Sequence, residues 1–240
     1  SAACNFCGCF RRFVYQHNDC RKERGRKMDN MIYILFISIS IPLLLMALLM
    51  EKKARLPISF MIIGIFVSVF ASEVNGLLSN LLSMDTYSMT VIVTPVSEEL
   101  LKALPILYYA IVISDKRERL FTASMAMGIG FALLENAYFL LNSDNFTIII
   151  AIIRAFGAGL MHGMCTLLVG VGISFVKKKR KLFAVGTFGL LSTAIVYHGI
   201  YNILIQSEFS TVGALLPIAT YIPFLVWRLR VKGRAEKSKS

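Results

Sequence analysis

Charge within its apolar runs is what this chain has least of. Of 26 Lys and Arg, only Lys102 and Arg154 fall inside such runs, and the other 24 lie outside them. Acidic residues are scarce as well, 14 in all, which leaves a net charge of +12. A basic excess of this size suits nucleic acid when it forms one face. Here it is divided among an N-terminal stretch, short loops and the C-terminal tail, with no DNA- or RNA-binding motif beside it, so no nucleic-acid partner is expected. The chain has three histidines and no His-Glu-x-x-His pattern, which argues against a zincin-type helix. Cys4, Cys7, Cys9 and Cys20, with His17 among them, lack the second C-x-x-C pair of a zinc knuckle. Cys165 sits in an apolar run and reads as helix packing. The first apolar run is not followed by a small-residue cleavage site, so it is not read as a signal peptide.

What the chain does have is hydrophobic length. At 240 residues it is 56% hydrophobic with a mean hydropathy of +0.67, the composition of an integral membrane protein. Apolar segments run from Met31 to Met50, Leu56 to Leu82, Tyr87 to Ile113, Leu120 to Leu141, Phe146 to Val176, Leu182 to Gln206 and Thr211 to Trp227. Each can cross about 30 Å of hydrocarbon at a rise of about 1.5 Å per residue. The fold class expected is therefore an all-α, polytopic membrane helix bundle of about seven transmembrane helices. Residues 1–30 read as a polar, basic segment, disordered or non-native, with Met28 as the natural start. Residues 31–230 form the membrane domain and 231–240 a tail. Glu51 to Arg55, Asp115 to Arg119, Lys177 to Lys181 and the tail are basic, whereas the alternate loops contain no Lys or Arg. The positive-inside rule then puts the C-terminus in the cytoplasm of a multi-pass cell-membrane protein.

The polar residues left inside the spans are the candidate site. Glu98, Glu99 and Lys102 follow Thr94-Pro95, which reads as a helix N-cap and first helical position. An ionised group near the bilayer centre costs roughly 2.5–3.5 kcal/mol on insertion scales, so three together need pairing, water or chemistry. Lys102 is spaced to pair with either glutamate, leaving the other available as a base, since adjacent carboxylates resist double ionisation. Pro105 should kink the helix just beyond. Glu135 and Asn136 add an acid and an amide in the fourth span. Arg154 and His162 lie in the fifth, with Thr166 one turn from His162, and His198 and Asn202 share a face of the sixth. Arg154 is expected to balance Glu135 or the Glu98/Glu99 pair. Glu73 and Asn75, near the outer end of the second span, read as residues reaching for the interface.

In order, Glu98-Glu99-x-x-Lys102, Glu135-Asn136-x-Tyr138, Arg154 with His162-x-x-x-Thr166, and His198-x-x-x-Asn202 resemble the PrsW family of intramembrane proteases. That family is similar to the larger superfamily of CAAX prenyl proteases and bacteriocin-processing enzymes. The resemblance covers about residues 94 to 202. It implies hydrolysis of a peptide bond in a single-pass membrane protein within the lipid bilayer, with an anti-sigma factor as substrate at the first cleavage of a bacterial envelope-stress response. It further implies that Glu98, Glu99, His162 and His198 are functional and that Asn202 is an oxyanion-stabilising amide, with Lys102, Glu135, Asn136 and Arg154 in support. Lys102 stands where the CAAX enzymes have an arginine one residue further on, and Phe156 precedes His162 by six positions rather than four, which weighs against prenylated substrates.

The mechanism expected on these grounds needs no cofactor. One of Glu98 and Glu99, with a histidine, takes a proton from water, and His162 or His198 holds the water or protonates the leaving amine. Zinc is the competing possibility, with Glu99, His162 and His198 as ligands. A proton- or ion-coupled transporter is the alternative of a different class, since buried Glu and His also build proton relays, but no repeated half is visible. A noncatalytic membrane scaffold is a third possibility.

Overall fold

Apolar length makes helices here because every backbone polar group in lipid must be satisfied within its own segment. The computed structural model describes residues 31–49, 51–142, 148–176 and 180–237. The four N-terminal cysteines, His17 and Met28 lie outside the described residues, as does most of the Lys177 to Lys181 loop. Among the described residues there is no strand, and the all-α polytopic bundle is what the chain forms. We number its helices α1 (Met31–Leu49), α2 (Lys52–Leu82), α3 (Thr94–Tyr108), α4 (Arg117–Asn142), α5 (Ile148–Ile173), α6 (Arg180–Ile205) and α7 (Ser210–Lys237). Five of them, α1, α2, α4, α5 and α6, are individually long and apolar enough to cross a membrane. The apolar part of α7, Ser210–Pro223, is shorter, and α3 is bounded by π-helical turns at Met89–Val93 and Tyr109–Ile113.

The centre of the bundle is α5, of whose membrane-length window 67% is buried, against 17% for α1 and α6. α4 packs on both α2 and α5, α5 on α6 and α7, and α3 is lodged among α2, α5 and α6. Two crossings are set by glycine. A Cβ on Gly64 would collide with the Met127 carbonyl, and one on Gly128 with the carbonyl of His162, so α4 reaches both neighbours at backbone contact. Phe60, Met127, Phe131, Met161, Cys165 and Ala194 belong to the shared core, and Cys165 Sγ meets the Ala194 carbonyl at 3.5 Å, the packing role expected for it. α1 lies against α2 and α4 through Ile32, beside Ile65, Val69 and Leu134.

The path into α3 departs from expectation. Asp85 starts it, accepting from the Ser88 N–H (2.9 Å) and hydroxyl (2.6 Å), contacts that hold its carboxyl below the usual range. The backbone is then helical throughout, and Thr94 has αR angles (φ −57°, ψ −47°), so it is not the extended N-cap that Thr-Pro suggests. Pro95 supplies the reason. Its ring clashes with the carbonyl four residues back and offers no N–H. The turn widens to accommodate it, and the Thr94 N–H goes to the Met89 carbonyl. The Thr90 carbonyl is thereby deprived of both helical donors: Thr94 is engaged, and Pro95 has none. Further on, α3 runs through Pro105 and widens again at Tyr109.

Candidate metal and catalytic site

Rare polar residues from five helices meet where α3 crosses the bundle. Glu98, Glu99, Lys102, His162 and His198 are all buried, Glu99 completely. Lys102 Nζ donates to Glu99 Oε1 at 2.6 Å and lies 3.0 Å from His162 Nδ1. An ammonium only donates, so that imidazole nitrogen is the acceptor and the proton of His162 sits on Nε2. Nε2 lies 2.5 Å from Glu135 Oε2, so the carboxylate sits against the protonated nitrogen of the neutral ring. Glu135 is braced by Arg154 (3.4 Å), whose Nε donates to Asn136 Oδ1 at 3.2 Å and whose guanidinium stacks on Phe139. On the other side, His198 Nδ1 lies 3.0 Å from Glu99 Oε1 and its Nε2 lies 4.0 Å from Glu98 Oε2. The two imidazoles stand edge to face with centroids 4.9 Å apart, and Phe131 packs on His162 and beneath the Lys102 ammonium.

Each imidazole thus has a carboxylate beside one nitrogen, Glu135 for His162 and Glu99 for His198, an arrangement that orients histidines at metal sites. Glu98, His162 and His198 each offer a donor atom, and these atoms lie within 4.8 Å of one another. Tetrahedral zinc with bonds near 2 Å places its ligands roughly 3.3 Å apart, so modest side-chain rotation closes the group on an ion. Two further observations favour that fit. Glu98 Oε2 is buried without a hydrogen-bond partner, its nearest approach being His198 Nε2 at 4.0 Å, and a buried polar atom without a partner needs an explanation. The cluster also sets three carboxylates against two permanent cations, Lys102 and Arg154, which leaves room for positive charge. The carboxylate in the group is Glu98, where the sequence suggested Glu99. Glu99 Oε1 is already shared between Lys102 and His198. The expectation that no cofactor is required finds no support in this donor set.

Beside the cluster a cavity of about 160 Å³ is lined by Glu98, Glu135, Asn75, Ser68, Ser72 and Phe131, with Ile32 of α1 and Tyr138 completing its wall. Asn75 is therefore an inward residue, not one reaching for the interface. Its Oδ1 accepts from the Ser97 hydroxyl at 2.5 Å, which turns the amide N–H toward Glu98 Oε1, 3.5 Å away. Ser68, Ser72 and Asn75 fall at helical spacing, a polar stripe that is visible in the sequence. Glu73 points the other way and accepts from the Tyr33 hydroxyl at 2.6 Å.

Asn202 does not join the cluster. Its amide donates to the orphaned Thr90 carbonyl at 3.0 Å, supplying the bond that Pro95 cannot. Thr166 likewise spends its hydroxyl on the His162 carbonyl at 2.8 Å. The partners expected one turn from each histidine thus serve the backbone, and the imidazoles find theirs on other helices.

No curated protein and no solved structure matches the chain. Residues 52–228 match the family described as PrsW family intramembrane metalloprotease, a stretch that contains every residue of the cluster. The chain is a multi-pass membrane peptidase and belongs to the PrsW family of intramembrane metalloproteases.

Proposed function

We propose that the chain is an endopeptidase that cleaves a membrane-anchored protein at a divalent-metal centre held by Glu98, His162 and His198. The observation that carries this reading is the approach of one carboxylate and two imidazole donors to within 4.8 Å in the buried middle of the bundle. Two nitrogens and one oxygen favour zinc among the common ions. When bound, the ion would acidify a water molecule and polarise the scissile carbonyl.

The chain's own residues do the rest. Glu99, fixed by Lys102, accepts from His198 Nδ1–H and so directs Nε2 toward Glu98. For His162 to serve as a neutral ligand it must give up the Lys102 contact, either by binding through Nδ1 itself or by moving its proton from Nε2 to Nδ1, so metal loading displaces the ammonium. Glu135 is the most solvent-accessible of the three carboxylates, its side chain 37% exposed, and it lines the same cavity as Glu98. It takes the proton as the water oxygen bonds to the carbonyl carbon and hands it to the leaving nitrogen as the C–N bond breaks. Asn75, its amide turned inward by Ser97, donates to the oxyanion before the C–N bond breaks. Asn202 is a positioning residue that fixes the turn ahead of Glu98.

The resemblance noted in the sequence supports an anti-sigma factor as substrate and the bacterial plasma membrane as location. The charge of the loops supports a cytoplasmic C-terminus. The test is proteomic: membranes carrying intact protein are compared with membranes carrying Glu98→Gln. A single-pass protein that loses its outer domain only with the intact protein is the expected result. Identical membrane proteomes contradict the assignment.

A further inference from the structure

At the other end of α3 lies a second and much larger cavity, of about 990 Å³, sharing no lining residue with the one beside Glu98. Its walls are the first turns of α2 and α4 and the second π turn. Lys53 and Arg55 come from α2 and Arg119 from α4, three cations against the single carboxylate of Glu118. Arg55 also reaches the Leu48 carbonyl at 3.4 Å. The lining residues Lys53, Arg55, Glu118 and Arg119 lie in the first turns of α2 and α4, where the helix dipoles add to the attraction for an anion. Buried Phe60 and Tyr109, with half-buried Ile63 and Pro105, give it an apolar and aromatic floor, and exposed Ile113, Ser59 and Thr122 line its edge. A cationic rim over a greasy floor, at the level of the basic loops, matches an amphiphile with a negative head and a hydrocarbon tail. A soluble anion would have no use for the floor, and a neutral lipid none for the rim.

We propose that this cavity binds an anionic phospholipid, its phosphate held by Lys53, Arg55 and Arg119 and an acyl chain lying along Phe60, Ile63 and Ile113. The site adjoins the helix that carries Glu98, Glu99 and Lys102. Pro105, which lines it, is one turn of α3 beyond Lys102, and the π turn at Tyr109–Ile113 forms its wall. The lipid therefore ties α2, α3 and α4 together at the end of the bundle remote from the Asp85 cap.

The experiment uses the full-length protein in phosphatidylcholine vesicles doped with phosphatidylglycerol, with lipid retained on the protein read by native mass spectrometry. Wild-type protein should retain phosphatidylglycerol over phosphatidylcholine by roughly tenfold or more, and the Arg55→Gln/Arg119→Gln double variant should lose most of that preference. Lys116→Gln, at the same end but outside the cavity, should leave it unchanged, and excess inorganic phosphate should not displace the lipid. Independently of whether the variants fold, a photoactivatable phosphatidylglycerol should label wild-type protein in the first turns of α2 and α4 and around Tyr108 to Ile113. Equal losses in the double variant and Lys116→Gln, displacement by phosphate alone, or labelling spread along every basic loop would each overturn the proposal.

Discussion

The two cavities along α3 are built on opposite plans. The one beside Glu98 is about 160 Å³, and next to it every cation has a partner: Lys102 on Glu99, Arg154 on Glu135. The one beyond Pro105 is about 990 Å³, with exposed cations at the rim and hydrocarbon below. A small, walled, charge-compensated space suits a reaction in which water and protons must be held in place. A wide amphiphilic one suits adhesion to a molecule that already has both characters. The same helix lines both, with Glu98 near its start and Pro105 and Tyr108 near its end.

The difference is sharpest under substitution. Glu98→Gln removes the anionic donor of the metal group and should lower proteolysis by about a thousandfold or more, with the thermal midpoint little changed and lipid retention at the second cavity intact. If turnover falls less than tenfold, the small cavity is not the site of chemistry. Next in size is Lys102→Met, which leaves Glu99 buried without its cation. A loss of about 3–5 kcal/mol is expected in unfolding experiments, because breaking one partner of a buried pair exposes the full desolvation cost of the other. A loss below about 1 kcal/mol would mean that Lys102 is not the counter-ion that holds Glu99.

Asn202→Ala separates two roles for an amide. As the donor to Thr90 it should cost about 1 kcal/mol of stability and lower turnover only mildly. As an oxyanion donor it would cost about 10²–10³ in kcat, the drop assigned here to Asn75→Ala. The smallest effect is expected at Glu73→Gln, within about 0.5 kcal/mol, since its bond to Tyr33 is exposed and faces away from both cavities.

Much of this was legible before any coordinates. Glu98, Glu99, Lys102, His162 and His198 stand out because ionisable groups are so rare in spans of this hydropathy, and the number of helices follows from apolar length. What was not legible depended on direction rather than identity. Lys102 is three residues from one glutamate and four from the other, spacings that a helix treats alike, so only packing decides that Glu99 takes the ammonium and Glu98 faces the metal group. Asn75 was hidden by its neighbour Glu73: side chains two apart on a helix point to different sides, and the charged one drew the pair toward the interface. The π turn was hidden because Pro95 looks the same at a helix start as inside a widened helix. Once that turn is known, Asn202 has a backbone partner that no spacing rule could reveal.

The central claim is that Glu98, His162 and His198 hold one metal ion. Metal analysis with zinc X-ray absorption on the purified full-length protein tests it most directly. About one zinc per chain is expected, in a nitrogen and oxygen shell free of sulfur, lost together with proteolysis in His162→Ala and His198→Ala. Undiminished cleavage by protein stripped of metal would contradict it.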